Sequence, residues 1–261
     1  MSGTLYLLPN RIAERPVEET LPAATLEVLR QTRVFLAENA KSARAYLKAA
    51  SHPVPLMELQ IDEIGHEPDS RLIDQWLAPL GEGKDIAIVS ESGCPGIADP
   101  GATIVARAQE KGYRVKPLVG PSSILLALMA SGLDGQHFRF LGYLPIKEPA
   151  RTQALKSAEQ QSARGETQLF IETPYRNQNF LEFLIQTLAP STRITVACDL
   201  TGDSEFVKTK KASEWKNEKT VLPKLPTIFA ILAQKSAVKT HTTHKNTKTH
   251  FKKQGSFWRQ A

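Results

Sequence analysis

The densest set of residues able to do chemistry is SESGCPGIADPG, residues 90–101. Gly93, Gly96 and Gly101 allow tight turns and a close approach of backbone to a bound molecule. Pro95 and Pro100 stiffen the segment, while Ser90, Ser92 and Asp99 offer polar contacts. It follows DIAIV (85–89), an apolar, β-branched run of the kind buried on both faces of a parallel sheet. In open sheets of that type ligands sit outside the carboxyl ends of the strands. No Gly-Lys-Ser/Thr follows, so there is no lysine for terminal phosphates, and the Gly-x-Gly-x-x-Gly dinucleotide pattern is absent. The segment reads as a binding loop of another kind. VGPSS (119–123) repeats the arrangement, and the N–H groups opening its helix suit a carboxylate. Ordinary capping by Ser122 or Ser123 would account for the same residues. Glu38, after a second apolar run, is a candidate substrate contact. Arg176 is a candidate partner for a substrate phosphate, because a guanidinium matches phosphate as a two-toothed fork. A strand-end glutamate and a helix-start arginine are the plainer alternatives, so no residue carries a catalytic assignment.

The elements that must position these loops alternate. Strands are predicted at 4–8, 34–38, 55–59, 85–89 and 114–119, with helices at 22–31, 41–50, 70–80 and 102–111 between them. Asp69 or Ser70 is the expected N-cap of the third helix. This order predicts an α/β fold with a mainly parallel sheet. After residue 118 the style changes. An apolar helix from 122 precedes strands at HFRFLGYL (137–144), 167–172, 193–200, 205–209 and 227–233, with helices at 148–162 and 177–188. The hairpin-like spacing of strands there predicts a mixed sheet, so two successive α/β domains are expected, 1–118 and 119–234, followed by a tail at 235–261.

Apolar content of 41% and charged content of 23% are those of an ordinary globular chain. The longest apolar run, residues 124–130, is far too short to span a bilayer, and the first residues carry no signal-peptide pattern. With two cysteines, Cys94 and Cys198, and no zinc-ligand spacing, a reduced cytoplasmic protein without a metal is expected. The net charge of +6 is unevenly placed. Seven cations and no acid fall in 235–261, which leaves 26 basic against 27 acidic residues before it. That tail reads either as a solubilising extension or as an arm along nucleic-acid phosphates, with Phe251, Phe257 and Trp258 free to stack on bases.

Taken together, Ser-x-x-Gly-x-Pro-x-x-x-Asp-Pro-Gly after a buried strand, Gly-Pro-Ser-Ser at 120–123 and Gly-Tyr-Leu-Pro at 142–145 resemble the tetrapyrrole methylase superfamily. GTLYLLP at the start, AEN (37–39), IETPYR (171–176) and DLT (199–201) are similar to segments of its branch that methylates ribose 2′-hydroxyls of small-subunit ribosomal RNA. The likeness spans residues 3 to about 233. It implies a methyltransferase, usually a homodimer, that holds S-adenosylmethionine in the cleft between two domains. By position, Ser90, Ser92, Gly93, Pro95, Ala98 and Asp99 would border the cofactor from the first domain, and Ser122 and Ser123 at the crossover. Tyr143, Leu144, Glu172, Thr173, Leu200 and Thr201 would line it from the second. The chain departs from the branch at Asn10-Arg11-Ile12-Ala13-Glu14, at Glu38-Asn39-Ala40-Lys41 and at Leu225-Pro226. These departures fall on the substrate side, so the acceptor stays open between ribosomal RNA and a small molecule or protein side chain. A cofactor-binding protein without turnover is a further alternative.

Overall fold

The computed structural model describes residues 2–234; the basic tail, read either as a solubilising extension or as a nucleic-acid arm, lies outside them. In the first half, strands β1 (Thr4–Leu8), β2 (Val34–Ala37), β3 (Gln60–Glu63), β4 (Ile86–Val89) and β5 (Arg114–Pro117) form one sheet in the order β3-β2-β4-β1-β5. Every pairing in it is parallel. Side chains alternate across a strand, and here the alternation divides two cores. Phe35, Ala37, Ala87 and Val89 pack under α1 (Ala23–Gln31) and α2 (Ala40–Ala49). Leu36, Ile86 and Ile88 pack under α3 (Ile73–Gly81) and α4 (Ala102–Glu110). This double covering explains why residues 86–89 are apolar at consecutive positions: all four residues of β4 are buried.

The second half holds helix α5 (Ser123–Ser131), then β6 (Phe138–Phe140), α6 (Ala150–Ser162), β7 (Thr167–Glu172), α7 (Asn177–Thr187), β8 (Arg193–Cys198), β9 (Phe206–Lys211), the short α8 (Ala212–Trp215) and β10 (Thr227–Leu232). The sheet order is β6-β7-β10-β8-β9. Only β6 with β7 is parallel; the other three pairings are antiparallel. The mixed sheet foreseen from the hairpin pattern is therefore observed. One face packs on α6, α7 and α8 through Leu155, Phe180 and Trp215, and the other on α5 through Ala127 and Leu128. The Trp215 indole N–H, buried with its ring, donates to the Ile194 carbonyl at 2.9 Å.

Two local expectations are corrected. Residues 55–59 are not a strand: Leu56–Glu58 make a single 3-10 turn after Pro55, and the strand is the more polar QIDE that follows. The proline presets the turn's φ, which outweighs the apolar alternation. The third helix also starts later than predicted, with Leu72 at its N-cap and no side-chain cap. Asp69 instead accepts the Arg71 N–H within the preceding turn.

Candidate active site

Loop 90–101 leaves the end of β4 as expected, and three features fix its course. Gly93 and Gly96 take φ of +71° and +78°, where a side chain is penalised. Asn10, just past β1, exchanges two backbone hydrogen bonds with Gly93, at 2.9 and 3.2 Å, and its side-chain amide donates to the carbonyls of Ser90 and Glu91. One oxygen of Asp99 accepts the N–H groups of Gly96 and Gly101 at 3.0 and 2.8 Å. Ala98 is held at φ +55°, and Asp199 and Thr201 across the cleft at +50° and +69°. Strained non-glycine backbone of this kind gathers at binding sites.

Between the two halves lies a cavity of about 310 Å³, within the range of small-ligand sites, roughly 300–1,000 Å³. Of the residues foreseen from the sequence, Ser92, Gly93, Ala98, Ser122, Ser123, Tyr143, Glu172 and Leu200 line it. The structure does not bring the remaining six onto its wall. Ser90 is buried, its hydroxyl donating to the Ser92 carbonyl at 3.0 Å. Pro95 is buried in the loop and Asp99 acts as the loop's internal clamp. Leu144 belongs to the core of the second half, with Phe170 and Phe180. The Thr173 N–H donates to Glu172 Oε1 at 2.7 Å, and among the described residues the buried Thr201 hydroxyl has no hydrogen-bond partner. Ser122 occupies the N-cap position of α5 yet makes no side-chain cap, so the capping explanation of VGPSS does not hold and both hydroxyls remain available to the cavity.

Ile12, Cys94, Ile97, Ile124, Phe140, Ile171, Pro174, Ala197 and Pro226 to Ile228 complete the wall; sequence reasoning missed them. Most sit at the ends of β6, β7 and β8 and the start of β10, where an apolar residue looks the same in core and in cavity. Asn177 steadies this side, donating to the Leu225 carbonyl at 2.8 Å and the Thr227 hydroxyl at 2.9 Å. Arg176 does not offer a free fork. Its Nε and Nη2 lie 2.9 and 2.6 Å from one oxygen of Glu172, whose side chain is only 9% exposed, so the pair balances charge at the wall.

Glu38 lines neither this cavity nor the neighbouring one described below, and it pairs with the exposed His66. Burial pushes its carboxyl above the ordinary value; His66 opposes this, and the nearby Glu91 and Asp99 carboxylates reinforce it. A carboxyl raised on folding binds more protons in the folded state than in the unfolded chain. Stability therefore falls as pH rises from the ordinary glutamate value of 4.5 through the raised one. Glu38→Gln should flatten that fall, measured as urea midpoints across the interval; an unchanged pH dependence would remove the burial effect.

A family model described as Tetrapyrrole (Corrin/Porphyrin) Methylases matches residues 18–215. The chain belongs to the tetrapyrrole methylase family. Among the relatives of this methylase, Ribosomal RNA small subunit methyltransferase I of Escherichia coli O157:H7 is 33% identical over 205 residues, 78% of this chain and 68% of that protein. The protein of the same name from Micromonospora olivasterospora is 35% identical over 204 residues, 78% of this chain and 61% of its own. The fold also matches solved structures. Uroporphyrin-III-C-methyltransferase from Thermus thermophilus superposes with a TM-score of 0.53 at 18% identity, covering 89% of this chain and 93% of that one. The methyltransferase CobJ gives 0.58 at 17% identity, over 89% and 95%. The tetrapyrrole methylases are methyltransferases, and this chain is an enzyme of that class. Among the described residues no helix is long and apolar enough to cross a membrane.

Proposed function

We propose that this methyltransferase takes a methyl group from S-adenosylmethionine, bound in the interdomain cavity, and places it on a ribose 2′-hydroxyl of small-subunit ribosomal RNA. The cavity's donor set fits that cofactor. Ile97, Ile124, Ile171 and Ile228 offer apolar walls for an adenine ring. The Ser122 and Ser123 hydroxyls, beside the N-terminus of α5, suit the methionyl carboxylate. Glu172 offers an acceptor for an ammonium or a hydroxyl. When bound, the cofactor supplies an electrophilic methyl on a sulfonium, so the hard chemistry is its own. What the chain contributes is placement and the exclusion of water. The Asp99 clamp and the Asn10–Gly93 bridge hold loop 90–101 as one wall, and the Asn177 anchor holds Leu225 to Thr227 as the facing one.

The observation that carries the reading is a second cavity, of about 600 Å³, that shares Ile12, Ser92 and Pro226 with the first. Two adjoining cavities that meet at three shared residues are what donor and acceptor require. Ribosomal RNA as acceptor is supported by the relatives' names and by the cationic composition of residues 235–261. A homodimer is supported by exposed Val119, Leu125 and Met129 on and beside α5. A cytoplasmic location is supported by that acceptor. The test is transfer of labelled methyl to small ribosomal subunits lacking the modification, with digestion of the RNA to nucleosides. Label in a 2′-O-methyl nucleoside is the expected result. Label found only in protein or small molecules would overturn the RNA assignment.

A further inference from the structure

We infer that Arg11 is the residue of the second cavity that grips a phosphate of the acceptor, an inference that rests on the RNA reading above. Among the described residues Arg11 is the one cation lining that cavity; Glu14, Glu91, Asp199 and Asp203 are the acids. Three of these four acids already have partners. Asp203 pairs with Arg15, Asp199 accepts the Ser204 N–H at 2.9 Å, and Glu14 pairs with Arg11 itself at 2.8 Å. A lining of one guanidinium among carboxylates suits a group that brings an anion and hydroxyl donors together, which is the chemistry of a ribose phosphate.

The guanidinium is placed rather than loose. Its backbone N–H donates to the Asn10 side chain at 2.8 Å, and Asn10 is locked to loop 90–101 by the bonds described above. Its Nη1 donates to the Arg15 carbonyl at 2.9 Å, which fixes the direction of the side chain, itself 26% exposed. Ile12, the next residue, borders both cavities, so an anion held by Arg11 lies beside the wall that divides donor from acceptor. Glu14 is a weak competitor. Its side chain is 91% exposed, and ion pairs so open to water contribute little. A phosphate, with two oxygens matching the fork, would displace it.

The test uses the full chain with saturating S-adenosylhomocysteine and a fluorescein-labelled single-stranded trinucleotide, followed by anisotropy over a salt series. Arg11→Ala should weaken binding about tenfold and lower the slope of log affinity on log salt by about 0.7, the signature of one lost single-strand phosphate contact. Arg11→Lys should recover part of the affinity, and Glu14→Ala should tighten binding by freeing the fork. Affinity for S-adenosylhomocysteine, measured alongside, should not move, whereas a merely structural role would disturb it. Equal trinucleotide affinity in wild type and Arg11→Ala, or no binding by wild type, overturns the inference. Failure of methyl transfer to ribosomal RNA overturns the function instead, and the binding series reads Arg11 either way.

Discussion

Replacing Asp99 with alanine is expected to lower the affinity for S-adenosylhomocysteine about a hundredfold while leaving the circular dichroism of the protein intact. Asp99 does not reach the cavity wall; it works by accepting two backbone N–H groups, from Gly96 and Gly101, on one oxygen. Hydrogen bonds to a charged acceptor are worth about 1.5–3 kcal/mol each. Without them the strain of Ala98 at φ +55° is left to the Asn10 bridge at the far end of the loop, and the loop must be reordered at the ligand's expense. A loss of about 3 kcal/mol corresponds to roughly a hundredfold in dissociation constant. Asp99→Asn keeps an oxygen in place and should stay within about tenfold. Calorimetric titration checks this, and wild-type affinity in Asp99→Ala would mean that the loop holds its shape unaided.

Gly120→Ala should cost about 3 kcal/mol of stability, at the upper end of what inserting one methyl into a packed site costs. A Cβ at residue 120 would sit inside contact distance of the Pro9 ring and 3.1 Å from Leu21 Cδ2. Pro9 cannot step aside easily. Its ring is rigid, and its carbonyl accepts the buried Tyr46 hydroxyl at 2.7 Å. The strain must pass to the backbone on either side, toward Pro121 to Ser123 at the cavity or toward Asn10 and loop 90–101. Urea unfolding should show a lowered midpoint with an unchanged slope, together with weaker S-adenosylhomocysteine binding. Stability equal to wild type would show that this crossing opens without cost.

Much of the near wall of the site was legible because its signals are local. Two glycines with positive φ, two prolines and an aspartate, set between a fully buried strand and a helix, left little choice but a fixed loop at a strand end. The far wall was not. Ala197 and Ile228 are apolar residues of buried strands, and nothing in their type tells a cavity from a core. Leu144 shows the converse: motif position assigned it to the ligand, whereas packing takes it into the core. Contacts across long separations leave no trace in a single sequence. Arg15 meets Asp203 across 188 positions, and Arg11 gains its meaning only from the cavity that the second half closes. The misplaced third strand has a different cause. Its polar residues lie at the sheet's edge, where burial imposes no apolar pattern.

The position of β10 bears on how the protein is made. It is the last strand of the described chain, yet it lies in the middle of the second sheet, between β7 and β8. During synthesis the first sheet has all its strands once residue 117 has emerged. The second stays in two pieces, β6 with β7 and β8 with β9, until residue 232 is free of the ribosome. Until then the strand edges of β7 and β8 are unpaired, the kind of surface that invites association between nascent chains. A polysome translating this message would therefore carry finished first halves beside open second ones, and the interval of exposure is the time taken to translate from the end of β7 to the end of β10.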